Sequence, residues 1–128
     1  MKMEKQQIID GLAKIEAAIV PVEDITNSQE IMTALNNLVQ WMPSSASYVA
    51  ATERMYAEKI SELVMHRSYS QMSASDKKLL FNGLAKDEYE LKILAERLNK
   101  AISHATDALR SMLSTIKEEM KLNQYQPS

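Results

Sequence analysis

The chain contains no cysteine, which excludes disulfides and thiolate metal sites and suits a reducing compartment. Histidine occurs only at positions 66 and 104, and the residues three places before them are Leu63 and Ala101. The Glu-x-x-His pattern of di-iron bundles and the H-E-x-x-H zinc motif are therefore both missing. Glycine occurs twice and proline three times in 128 residues, with one Phe and one Trp. No glycine-rich loop and no parallel-strand pattern offers a place for a nucleotide phosphate. Long apolar runs are also lacking. The opening stretch MKMEKQQIIDGLAKIEAAIV interrupts its apolar pattern with Glu4, Asp10, Lys14 and Glu16, so it reads neither as a signal peptide nor as a membrane span. The cytoplasm of a bacterial host is the expected home, with no membrane contact.

What is present is a helical composition, rich in Ala, Leu, Ile, Met, Lys and Glu. At 45 % hydrophobic and 25 % charged, the chain is ordinary for one globular domain that buries its own core. The nine methionines suit core filling in a chain poor in Phe. Net charge is −2, unevenly spread: residues 1–44 hold three basic and six acidic side chains, residues 92–128 six and four. That basic excess is far smaller than the face of a protein that lives on phosphate contacts, so nucleic-acid binding is expected to be weak.

Apolar periodicity predicts an all-α, antiparallel bundle of about four helices, with a very long helix last. The first spans about Met3 to Val20, with Ile8, Ile9, Leu12, Ile15 and Ile19 on one face and Pro21 as its stop. Asn27 and Glu30 form a capping-box signature for a second helix, with Ile31, Ala34, Leu35, Leu38 and Met42 inward and Pro43 at its end. Residues 1–43 thus hold two shorter helices, and residues 44–122 a long helical hairpin. Its first arm, capped by Ser44 or Ser45, runs to about Ser70. Val49, Thr52, Tyr56, Ile60 and Leu63 face the core, and Arg67 lies at the rim. Ser73 and Asp76 cap the second arm, read as one helix from Lys77 to about Leu122 and nearly 70 Å long at about 1.5 Å per residue. The segment from Gly83 to Asp87 is where it would kink, and the tail 123–128 looks frayed.

The last helix is the one rich in functional groups. On a wheel, Leu91, Leu94, Leu98, Ala101, Ile102, Ala105, Leu109, Met112 and Ile116 share one sector, too wide for a two-stranded coiled coil. Glu96, Lys100, Ser103, Asp107 and Ser114 lie opposite. Arg97, His104 and Ser111 line one border, and Asn99, Arg110 and Lys117 the other. His104, Asp107 and Ser111 invite a hydrolase reading, but three groups on one rigid helix cannot converge on a reacting atom. No catalytic set, metal or cofactor is expected, and the chain reads as a non-enzyme.

The pattern R-x-N-x-A-x-x-H-x-x-D-x-L-R-S-x-L-S-x-x-K-E, Arg97 to Glu118, together with Met72-Ser73-Ala74-Ser75 upstream, resembles the C-terminal half of a family of small helical phage and prophage proteins. The resemblance covers residues 69–120. The family's genes lie among those for phage recombination and single-stranded DNA handling, an associational link. Its polar positions fall on Arg97, Asn99, His104, Asp107, Arg110, Ser111, Ser114, Lys117 and Glu118, mostly the wheel's borders. The resemblance implies a helical adaptor for phage DNA recombination or replication, or an inhibitor of a host defence factor. A direct single-strand binder is the alternative, with Tyr69 and Tyr89 for stacking. The overlong last helix, with Leu113, Ile116 and Met120 near its end, predicts an exposed apolar strip and a homo-oligomer, with a dimer favoured.

Overall fold

A computed structural model describes residues 3–125, apart from the side chains of Arg67 and Tyr125. The rim role of the Arg67 side chain and the last residues of the tail lie outside this description. The molecule is an all-α bundle, and among the described residues there is no strand. Helices α1 (Lys5–Ala18), α2 (Ser28–Val39) and α3 (Met42–Val64) are followed by a 3-10 turn at Arg67–Tyr69. Then come α4 (Ala74–Leu84) and α5 (Lys86–Tyr125).

Every helix packs on α5, α3 most extensively. As α3 advances from Ser45 to Tyr56, its contacts on α5 move back from Asn99 to Tyr89, so the two run antiparallel. Ile25 and Thr26, just before α2, lie beside Met112 to Asn123. Helix α2 therefore also runs antiparallel to α5, along its C-terminal half, and α3 takes over along its N-terminal half. Two helices set nearly end to end thus flank α5, which spans about 60 Å at the standard rise. Helix α1 begins beside Asp87 to Leu94 and runs parallel to α5. The core is Ile8, Leu12 and Ile15 of α1, Ile31 and Leu38 of α2, and Leu91, Ala95, Leu98, Ile102 and Leu109 of α5.

The stripe on α5 is buried much as its periodicity implies, though Leu94 and, on α1, Ile9 sit at its edge and are exposed. Three polar side chains are fully enclosed with it: Ser45, Thr52 and Thr106. Thr52 and Thr106 return their hydroxyl protons to carbonyls one turn back on their own helices (Tyr48 O, 2.8 Å; Ser103 O, 2.9 Å), so burial leaves neither unsatisfied. Gly11 lets Tyr48 pack close against α1: a Cβ there would run into the Tyr48 side chain.

The boundaries depart from expectation in several places. Helix α3 ends at Val64 and gives way to the 3-10 turn at Arg67–Tyr69, where the sequence reading carried it on to about Ser70. Asn27 caps α2 as expected, its Oδ1 accepting from Gln29 N–H and Glu30 N–H, but the Glu30 carboxylate turns away from the reciprocal bond. It accepts instead from Glu23 N–H at 2.9 Å and ties down the preceding loop. Pro43 does not end α2; it stands in the first turn of α3, which begins at Met42 with Trp41 at its cap position. Neither Ser44 nor Ser45 is a cap. A proline lacks an N–H, and the first turn of a helix has no use for one, so the residue that would stop one helix serves equally well to start the next. Finally, the long last helix is interrupted once, at Ala85, inside the segment 83–87 expected to kink; the interruption is a full break, making five α-helices rather than four. At the other end it continues through Tyr125, across residues read as frayed.

The methionines also correct the sequence reading. None of those described is fully buried, and Met32, Met65 and Met120 are exposed. Branched Ile and Leu fill the core, and Met is left to its rim. Among the described residues no helix is long and apolar enough to cross a membrane.

Candidate functional site

The border residues of α5 flank its apolar stripe on both sides from Arg97 to Lys117, about 30 Å along the axis. Arg97, His104, Asp107, Arg110, Ser111, Ser114 and Lys117 are all exposed. Within the set the structure brings together only Arg110 and Asp107, 3.6 Å apart across i,i+3 and both open to water, where such a pair contributes little. Toward the N-terminal end of the same polar side Lys92 and Glu96 pair at 2.9 Å, and the bond to the Glu96 carboxylate holds the Lys92 ammonium above the usual lysine range. The polar face of α5 is a row of solvated groups with no shared focus. Nothing in this row places a nucleophile, a base and an oxyanion donor around one reacting atom.

Asn99 is the exception. It is half-buried, and its Oδ1 accepts the Ser45 hydroxyl proton at 3.0 Å across the α3–α5 interface. The side chain that looked like part of a partner-binding border is a structural contact within the bundle.

Two apolar surfaces are better candidates. The first lies at the α3–α4 end, where Tyr56, Ala57, Ile60 and Phe81 line an open cleft of about 530 Å³ with Ser61, Lys78 and Asn82 at its margin. The same end of the molecule also exposes Met65 (81 %) and Leu79 (73 %), with Val64 and Leu84, though none of these lines the cleft. The aromatic rings gather here. Tyr56 leans on Tyr89 (5.6 Å between centroids), and Tyr69 meets Phe81 edge-on at 5.5 Å and His66 at 5.3 Å. The sequence carried one signal for this surface. Leu79, Leu80 and Phe81 are consecutive, and three adjacent side chains on a helix cannot share one 100° stripe, so one must turn outward.

The second surface is the far end of α5. Leu113 and Ile116 are half-buried against the core, and the α1–α2 loop places Ile25 and Thr26 alongside, leaving a shallow groove of about 380 Å³ between Ile25, Met112, Ile116 and Met120. The apolar strip is therefore partly covered from within the chain. Met120, 58 % exposed, continues it into solvent, while Leu122, 65 % exposed, stands on the other side of the helix. The loop that covers it is stiffened by Asp24, whose Oδ1 accepts from Thr26 Oγ1 at 2.6 Å and Thr26 N–H at 3.0 Å; these bonds hold its carboxyl below the usual range.

A third hollow, lined in part by Glu4, Lys5, Glu58, Lys59, Glu62 and Glu88, mixes charges of both signs. Among the described residues no group of three His, Asp or Glu side chains is placed to hold a metal ion. Comparison with known proteins finds no matching family model, no similar curated protein and no similar solved structure.

Proposed function

We propose that this protein is a non-enzymatic helical adaptor that works through protein–protein contacts, including contacts with its own copies. The observation that carries this reading is the distribution of apolar side chains. Met65, Leu79 and Leu84 toward one end of α5, and Met120 and Leu122 at the other, stand exposed. Each end carries an open cleft with apolar lining, Ile60 and Phe81 at one and Ile25, Ile116 and Met120 at the other. Apolar groups clustered at clefts mark interfaces more often than isolated surface residues do. Surface methionine adds adaptability, because its unbranched thioether repacks against different partners at small cost. The resemblance of residues 69–120 to phage proteins gives the setting: phage DNA recombination or replication, or inhibition of a host factor. Arg97, His104, Arg110 and Lys117 would form the polar rim of such a contact, beside the strip from Leu113 to Met120.

The alternative, direct binding of single-stranded nucleic acid, has less support. A single-strand groove combines cations with free aromatic faces. Here Tyr89 packs against Tyr56, and Tyr69 against Phe81 and His66. Asp87, Glu88 and Glu90 flank Tyr89 in sequence and would repel phosphate.

The test is capture of the tagged full-length chain from bacterial cells, with and without nuclease. Protein partners that survive nuclease, and are lost on Leu79→Glu or Met120→Glu, are the expected result. Partners that vanish with nuclease would overturn the reading in favour of nucleic-acid bridging. So would sub-micromolar affinity for single-stranded DNA at about 150 mM salt, tighter than non-specific electrostatics usually reaches, that is lost on Arg110→Glu with Lys117→Glu.

A further inference from the structure

The break at Ala85 separates two helices whose apolar pattern does not break. Phe81, Leu84, Leu91, Ala95, Leu98 and Ile102 follow one another at helical a/d spacing, with Glu88 the one polar interruption. The joint itself is slight. Ala85 has φ −103° and ψ 19°. Helical geometry is about 40° away in φ and 60° in ψ, with no forbidden region between. No proline stands in the joint, and a Cβ added at Gly83 would meet open space. Ala85 N–H already donates to Phe81 O (2.8 Å) and Ala85 O accepts from Tyr89 N–H (3.0 Å), so both helical ladders reach the joint. Straightening would add what a helix start otherwise lacks: acceptors for the amides of Lys86, Asp87 and Glu88, at the carbonyls of Asn82, Gly83 and Leu84.

Against this stands the packing of α4. It touches the bundle lightly, with only Phe81 buried along its length. The connection does not forbid release. Residues 65–73 can extend to about 30 Å, whereas a straightened α4 would project roughly 18 Å beyond the start of α5.

We infer that the α4–α5 joint is a hinge, and that α4 can swing out as a continuation of α5 and seat Phe81 in the Tyr56–Ile60 cleft of a second copy. The occupant is fixed by the closed form, in which α4 already forms one wall of that cleft; the exchange reuses an existing contact between two chains. This contact is separate from the strip at Ile116 and Met120, so the two can fail independently.

The absence of cysteine supplies the test. Ser61 on α3 and Asn82 on α4 border the same cleft. Full-length chains carrying Ser61→Cys are mixed with chains carrying Asn82→Cys, and treated with a short bismaleimide. An exchanged dimer yields a covalent heterodimer. Asp87→Pro would forbid the straight helix while repeating the arrangement of Pro43 in the first turn of α3, and should reduce the product on the order of a hundredfold. Gly83→Ala, which favours mid-helix over helix-end placement, should raise it roughly two- to threefold. Ile116→Glu with Met120→Glu should leave it unchanged. No heterodimer in either the parent pair or the Gly83→Ala pair would overturn the inference, as would a heterodimer undiminished by Asp87→Pro.

Discussion

The molecule contains two places where one helix nearly runs into the next, and they are built differently. At Gln40–Trp41, α2 gives way to α3 across two residues, and Pro43 stands in the first turn beyond. In a continuous helix that proline would remove the hydrogen bond to Val39 O and press its ring against the same carbonyl, at a cost of about 3 kcal/mol or more. The joint is also pinned from outside, since Ser45, one turn on, is fully buried and bonded to Asn99. At Ala85, α4 gives way to α5 across one residue, with no proline and with Gly83 just before it. One joint is locked by chemistry, and the other is held only by the packing of Phe81 and Ala85. Two helix breaks that look alike in outline therefore differ in whether they can close up.

The sharpest way to break that comparison is to remove the core behind the locked joint. Ile102, fully buried one turn beyond Asn99, is held between α5 and the helices around it. Ile102→Ala should cost about 2–5 kcal/mol in urea denaturation, with all helices lost together. A cost below about 1 kcal/mol would mean that the region around the locked joint is not the stable half. Gly11→Ala comes next: the new Cβ meets the Tyr48 ring, and overpacking of this kind costs about 1–3 kcal/mol. Tyr48→Ala should relieve it in a double-mutant cycle.

Ser45→Ala probes the pin directly. It leaves Asn99 Oδ1 without its donor, for an expected loss of about 1–2 kcal/mol by the same denaturation. At the free joint, Phe81→Ala should leave the main transition nearly in place. Native-state hydrogen exchange would then show α4 amides opening at lower free energy than those of α5. If α4 and α5 instead exchange as one unit in both proteins, the joint is no weaker than its neighbour.

The smallest effect belongs to the loop covering the far end of α5. The Asp24 carboxyl has its pKa lowered by its bonds to Thr26, so its contribution is present above the unfolded value of about 3.9 and lost as pH falls through the lower folded value. Cleavage of the loop by pepsin should therefore rise with acidity more steeply in the parent than in Asp24→Asn, which has already lost the titrating group.

Most of the fold was legible because its signals are local. The α5 stripe, the Asn27 cap and the Ser73 cap are each fixed by residues within a turn or two of one another. What escaped was tertiary. Pro43 reads the same whether it ends α2 or begins α3, because neither use needs its missing N–H. The break at Ala85 falls inside the segment 83–87 that Gly83 marks for a kink. What has no local signature is that the helix stops and restarts there, since alanine is the best helix former and its methyl is buried at the bend. Asn99 sat on a border of the wheel beside residues that do face water, and its partner is 54 positions away in sequence. Thr106 was not expected in the core, because its hydroxyl's partner is a carbonyl of its own helix. Of the candidate surfaces, the strip at Leu113, Ile116 and Met120 was visible as excess length. The cleft at Tyr56 and Phe81 forms only once the chain turns at Ala85.

The Ser45–Asn99 contact has a consequence beyond the energy of one hydrogen bond. Leu91, Leu98, Ala105 and Met112 recur every seven residues, so to a facing helix the apolar stripe of α5 looks much the same after a slide of about 10 Å. Hydrophobic burial alone distinguishes such alternatives poorly. Asn99 does not recur: the positions seven before and after it are Lys92 and Thr106. A slipped α3 would leave the Asn99 oxygen or the enclosed Ser45 hydroxyl unanswered, at about 1–3 kcal/mol each, enough to make the displaced alignment a minor species. Asn99→Leu combined with Ser45→Ala should accordingly keep much of the stability yet show more than one set of amide resonances for α3. The pair acts as the key that fits two otherwise repetitive rods together at one setting.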